Sequence, residues 1–233
     1  MTEILPQPAQ LPEKVPLDFE PVRGWIEVEV RDDRGRVVQR GRHKMHSFLN
    51  NFLSILLGAI NAGNRSNISA SVTNPGGGTS KVYAEFYNTS ATYGGGTSMA
   101  LRARANEDFY GIVVGSGSTP VTLTNFNLAS KISHGTGAGQ LSYDEVVFED
   151  LGLDASVTPP VYRFRFIRTL KNLSGGGVTI NEVGLIAWNF WRDFNAVKAD
   201  VKFLIARDVL PTTYTVPDGG SATVAVTVEV VLG

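Results

Sequence analysis

The clearest periodicity along the chain begins at Trp25. Ile26, Val28 and Val30 alternate with Glu27 and Glu29, which turns one face inward and the other toward water and predicts a strand. Asp32-Asp33-Arg34-Gly35 supplies turn chemistry and Arg36-Val37-Val38-Gln39 returns, so Trp25 to Gln39 is expected to form a β-hairpin. The period then changes. Phe48, Leu49, Phe52, Leu53, Leu56 and Ile60 recur at helical spacing behind Ser47, a suitable N-cap, and Gly63 can stop the run. An amphipathic helix over about 47–60 follows, too short to stand alone in water, so its apolar stripe should pack on a sheet.

Beyond Phe109 the pattern is almost all strand and turn. Strands are expected at Tyr110–Gly115, Val121–Leu123, Leu141–Glu149, Val161–Leu170, Val178–Ala187, Val201–Arg207, Tyr214–Val216 and Ala222–Leu232. In the last of these Val224, Val226, Val228 and Val230 share one face, opposite Thr223, Ala225, Thr227 and Glu229. Short strands between Gly, Pro, Asn and Ser clusters predict a mainly β fold, an antiparallel β-sandwich or jelly-roll-like domain over 23–233. Residues 1–22 carry Pro6, Pro8, Pro12, Pro16 and Pro21 and are expected to form an extended arm, either a disordered tail or a segment that orders on a neighbouring subunit. Between about 61 and 99, Asn74-Pro-Gly-Gly-Gly78 and Gly94-Gly95-Gly96 predict Gly-rich insertion loops, with only Val82–Tyr87 strand-like between them. Such loops are expected to be either mobile surface segments or elements that are fixed by subunit contacts or present a variable binding surface.

Composition narrows the function. The 233 residues are 42% hydrophobic, ample for a core, and 21 Lys+Arg against 22 Asp+Glu give a net charge of -1, which disfavours nucleic acid as a partner. The absence of cysteine removes disulfides, thiolate zinc sites and a Cys nucleophile. The longest apolar stretch, Phe48 to Ile60, is interrupted by Asn50, Asn51 and Ser54 and falls short of a bilayer, so a soluble chain without membrane contact is expected; no secretory signal is read at the N-terminus.

The chemistry-bearing residues are sparse. His43 and His46 lie beside Arg40, Arg42 and Lys44 without an HExxH carboxylate and are expected to lead into the helix, while His134 falls in a Gly-rich turn. Gly135-Thr-Gly-Ala-Gly-Gln140 lacks the Lys-Ser/Thr of a P-loop and leads into a strand. Ser116 is flanked directly by Gly115 and Gly117, which is not the GxSxG elbow. Asp144, Glu145, Glu149, Asp150 and Asp154 do not have calcium-loop spacing and are expected to form a solvated rim. Arg102 and Arg104 form one basic cluster. Arg163, Arg165 and Arg168 form a second, interleaved with Phe164 and Phe166, and are read as one wet face of a strand, with partner salt bridges or nucleic-acid phosphate contacts as the alternatives. Trp188, Phe190, Trp191 and Phe194 concentrate aromatic area suited to a core, a subunit interface or a carbohydrate platform. No catalytic, cofactor-binding or metal-binding residue is assigned, and a non-enzymatic role is expected.

Two stretches resemble structural proteins of tailed bacteriophages and related archaeal viruses. The first is Gly111-Ile-Val-Val-Gly-Ser-Gly-Ser-Thr-Pro120 continuing to Leu128-Ala-Ser-Lys-Ile-Ser-His-Gly135 and Gly139-Gln-Leu-Ser-Tyr143. The second comprises Arg163–Gly175, Ile180-Asn-Glu-Val-Gly-Leu-Ile186, Leu204-Ile-Ala-Arg-Asp-Val-Leu210 and Val216-Pro-Asp-Gly-Gly-Ser-Ala-Thr-Val224. They read as a strand, an Asn-plus-small-residue turn, a Glu-x-Gly-Leu strand, an Ala-Arg strand and a last strand behind a Pro/Gly turn. Val28–Gly35 and Ser47–Leu53 are similar to the same group. The resemblance implies a virion component of tail or capsid, assembled in the host cytoplasm, that forms homo-oligomers and contacts other virion proteins without a small-molecule substrate. Candidate subunit contacts are Pro6, Pro8, Pro12, Pro16, Arg163, Arg165, Trp188 and Trp191. The alternative expectation is a receptor- or carbohydrate-binding β-sandwich module.

Overall fold

A computed structural model describes residues 22–45, 48–52, 54, 69–83, 98–192 and 197–232. Eleven strands run in chain order: β1 Val22–Arg31, β2 Val37–Met45, β3 Ser69–Thr73, β4 Thr79–Tyr83, β5 Ser98–Ala100, β6 Gly111–Gly115, β7 Ser142–Asp154, β8 Val161–Lys171, β9 Val178–Arg192, β10 Val197–Val216 and β11 Ser221–Val231. The fold is mainly β and antiparallel, as the alternation predicts. One sheet has the order β2-β1-β11-β8-β7; in a second, β9 pairs with β10 along one side and with β5 and β6 along the other. A third, two-stranded element is the β3–β4 hairpin.

The two larger sheets face each other across one core. Ile26, Val28 and Val30 of β1, Val224 and Val226 of β11 and Leu170 of β8 meet Ile112 and Val114 of β6, Ile180 of β9, and Tyr214 and Val216 of β10. Burying such aliphatic side chains stabilises the fold by roughly 1.5–3 kcal/mol each relative to exposure. The chain passes between sheets at the β8–β9 and β10–β11 turns, and a single residue ties both. Buried Asn172 donates to Gly176 O and Val216 O at 2.7 and 2.8 Å, accepts from Ser174, and pairs its main chain with Gly219 and Gly220. The Asn-plus-small-residue turn of the sequence is thus a clamp between the two crossovers.

Several boundaries differ from expectation. β1 begins at Val22, paired with Val230, not at Trp25. The hairpin is present, closed by Asp32 accepting the Arg34 and Arg36 N–H groups, with Gly35 at φ 75°, but its second strand continues to Met45. His43 therefore lies on β2 and does not lead into a helix; its Nε2 is 2.6 Å from the Tyr214 hydroxyl. Of the expected 47–60 helix, residues 50–52 and 54 are helical, and Ser47, Leu53 and 55–60 lie outside the described residues, as does His46. Asn74-Pro-Gly-Gly-Gly78 is a hairpin turn, Asn74 Oδ1 accepting from Gly76 and Gly78 N–H, so the strand after it starts at Thr79 instead of Val82; 84–97 lie outside the described residues. Val121–Leu123 is loop, because Asn125 Oδ1 takes the Thr122 N–H at 2.8 Å and Leu123 faces solvent. The expected strands 201–207 and 214–216 are one strand, β10, interrupted by an irregularity between Val209 and Tyr214.

Candidate functional site

Two buried arginines organise the polar interior. β9 and β10 are neighbours, and Glu182 on the first meets Arg207 on the second, both essentially inaccessible, with Nε 2.8 Å from Oε2. A buried ion pair is stable only when its remaining lone pairs and N–H groups are also satisfied. Here the 116–131 segment does this. Glu182 accepts the main-chain N–H groups of Gly117, Ala129 and Ser130, and Arg207 donates to Asn125 Oδ1 and to Thr119 O. Glycines make room: a Cβ on Gly117 would lie 2.6 Å from Glu182 Oε1, and one on Gly184 would strike Leu128 Cδ1 at 2.5 Å. The Glu-x-Gly-Leu and Ala-Arg signatures are therefore two halves of one clasp that holds a long connection against the second sheet.

Arg168 is the second. The sequence expectation puts Arg163, Arg165 and Arg168 on one wet face of β8, but a step of two from Phe166 turns Arg168 inward, and it is fully buried. Its guanidinium donates to five carbonyls, those of Arg104, Glu107, Tyr110, Ile112 and Asp144, and lies over the Tyr143 ring at 4.7 Å. Burial pushes it down to about 10, so it stays protonated at neutral pH. Burial likewise holds Tyr143 well above the ordinary phenol range, its hydroxyl donating to Ile132 O at 2.7 Å. Beside it, His134 Nδ1 accepts the Tyr143 main-chain N–H, and the His134 main-chain N–H donates to Asp108 Oδ2 at 2.6 Å. Burial opposes ionisation of Asp108, but the His134 N–H and Lys131 outweigh it and the carboxyl is lowered. These groups all fasten loops to sheets.

Arg163 and Arg165 do face outward, on the surface of the five-stranded sheet, and are paired within the chain. Arg163 bridges Glu229 at 2.8 Å and Asp154 at 2.7 Å, and Arg165 meets Glu149 at 2.7 Å. The acidic residues expected as a rim are distributed along β7, where Asp144 meets Lys171 and Asp150 accepts from the Tyr162 hydroxyl. β7 also exposes Val147, Phe148, Leu151 and Leu153, the last at 57%, with Phe148 5.3 Å from the Phe166 ring. Sequence reading missed this apolar edge because the expected strand stops at Glu149, short of Leu151 and Leu153, and no local pattern marks β7 as a sheet margin.

Trp188 is half-buried, edge-on to Phe109 and Tyr110 at 5.9 and 5.1 Å, with Lys202 Nζ 5.3 Å from its ring. Phe109, Lys131 and Lys202, with Asn74 and Pro75 of the β3–β4 turn, line a pocket of about 400 Å³. Trp191 has its backbone on β9, and its side chain lies outside the described residues, as do Pro6, Pro8, Pro12 and Pro16. Among the described residues no three His, Asp or Glu side chains gather as a metal site, and no helix is long and apolar enough to cross a membrane. Compared with protein-family models, with curated proteins and with solved structures, the chain finds no match in any of the three.

Proposed function

We propose that the chain is a non-enzymatic structural component of a virus particle, in tail or capsid, that works by packing against copies of itself and neighbouring particle proteins. The observation that carries this reading is the exposed apolar edge of β7, where Val147, Phe148, Leu151 and Leu153 stand open on an otherwise well-packed sandwich. Large apolar side chains exposed on an edge strand favour association with another protein surface. The resemblance to virion proteins adds the setting, and the Glu182–Arg207 clasp, which joins two of the resembling segments, supports it by giving those residues one shared structural role. Size-exclusion chromatography with light scattering on the full chain tests the reading: a concentration-dependent oligomer is expected. A strict monomer that also fails to bind purified particle proteins contradicts it.

One observation favours a second reading. Phe109, with Trp188 behind it, forms an aromatic wall beside polar Asn74, Asn127 and Lys131, a combination suited to stacking and hydrogen-bonding a sugar ring. Glycan-array binding abolished by Phe109→Ala would establish this reading, and an array without signal would remove it.

A further inference from the structure

The two edges of the five-stranded sheet are opposite in charge. β2 carries Arg40, Arg42 and Lys44 and no acid over its 9 residues, whereas β7 carries Asp144, Glu145, Glu149, Asp150 and Asp154 and no base over its 13. On the outer face the charges stand in columns. Arg42 and Arg40 on β2 pair with Glu27 and Glu29 on β1, and Arg163 and Arg165 on β8 pair with Asp154 and Glu149 on β7. The order across the sheet is positive, negative, then β11 with Glu229, positive, negative, and the column that would continue it is another β2. Register supports the same continuation. One row runs Lys44, Trp25, Thr227, Arg165, Glu149, and the next runs Arg42, Glu27, Ala225, Ile167, Val147, so cationic positions at one margin are level with Glu149 and Val147 at the other.

We propose that copies of this chain join head to tail, β7 of one beside β2 of the next, so that the five-stranded sheet runs on from molecule to molecule. This inference rests on the assembly reading above and names its interface. Charge decides the partner edge: β7 against β7, or β2 against β2, would set like charges side by side, while β7 against β2 sets unlike charges together. Among the described residues, the main chain of loop 103–106 pairs with Tyr143 and Val146 of β7, and no described main chain pairs with that margin from Val147 onward. Four successive antiparallel pairings give β2 and β7 the same direction, so the joint is a parallel one. Arg163, which bridges acids on two strands at once, shows how Arg42 would bridge Glu27 and the Glu149 of a second copy.

The test uses two charge-reversal variants of the full chain, Arg40→Glu/Arg42→Glu and Glu145→Lys/Glu149→Lys/Asp150→Lys, each checked for an unchanged circular dichroism spectrum. Each alone has two edges of one sign and is expected to associate about tenfold more weakly or worse in light scattering; an equimolar mixture is expected to recover association. Cysteines provide a second reading, because the chain has none of its own. Arg42→Cys and Val147→Cys on one chain stand roughly 19 Å apart across five strands, beyond disulfide reach, so oxidation can link only separate copies. A ladder of linked species is expected from the double variant and none from either single variant. If the wild type is oligomeric while both reversals still assemble and no ladder forms, the copies meet elsewhere and the edge joint is overturned with assembly intact. If the wild type is a monomer, assembly itself is overturned.

Discussion

Arg168 forms no salt bridge among the described residues; five carbonyl dipoles take its hydrogens instead. Removing it leaves those acceptors dry, so Arg168→Met should cost at least about 3 kcal/mol in denaturant unfolding, against under about 1 kcal/mol for Arg165→Ala on the wet face. Glu182→Gln leaves Arg207 buried without a counter-charge and should cost about 3–5 kcal/mol, with faster proteolysis in 116–131. Acid sensitivity has a defined sign. Asp108 is lowered from 3.8 and Asp154 to about 2, the latter by Ser156 and Arg163, so both carboxylates stabilise the fold fully above pH 3.8 and lose that effect as pH falls toward their folded values. Burial lowers His43 from 6.5, so its contribution is complete above that pH and declines below it. Melting temperature against pH should show a shallow limb below 6.5, absent in His43→Gln, and a steeper one below about 4. Arg168 was open to inference from its even spacing to Phe164 and Phe166, whereas Glu182 and Arg207 lie 25 positions apart and nothing local in either strand marks them as partners.

At the level of elements, alternation succeeded where the inner positions are aliphatic and the outer face is open, as in Ile26–Val30; on central strand β11 it did not separate two faces, since Ala225, Thr227 and Glu229 are buried as well as Val224, Val226 and Val228. It failed on β2, whose inward residues are Gln39, Gly41, His43 and Met45: the period is there, but its buried phase contains a glycine and a histidine shaped to Tyr214. It also misled at Val121–Leu123, where side-chain capture of the main chain by Asn125 overrides the pattern. Gly184→Ala should cost about 1–3 kcal/mol by crowding Leu128, and adding Leu128→Ala should not restore the wild-type value, because the second change opens a cavity. Deleting residues 1–21, which stops just before the Val22–Val230 pair, is expected to leave the thermal transition within a few degrees of wild type and to weaken assembly.

For the whole molecule, the sandwich was legible because strand count, turn spacing and a one-sided valine strand all point to two sheets and one core. Which strands would become margins was not, since sheet order depends on pairings such as β1 with β11, about two hundred positions apart along the chain. That pairing has a mechanical corollary. Val22 and Val230 are level, so tension applied at the two chain ends meets the ten rungs between β1 and β11 one at a time and peels them like a zip. Tension applied at Val22 and Ser221 would load all ten together. Single-molecule pulling should therefore find the first geometry giving way at much the lower force, and a particle built from this protein would endure strain best where load bypasses the termini.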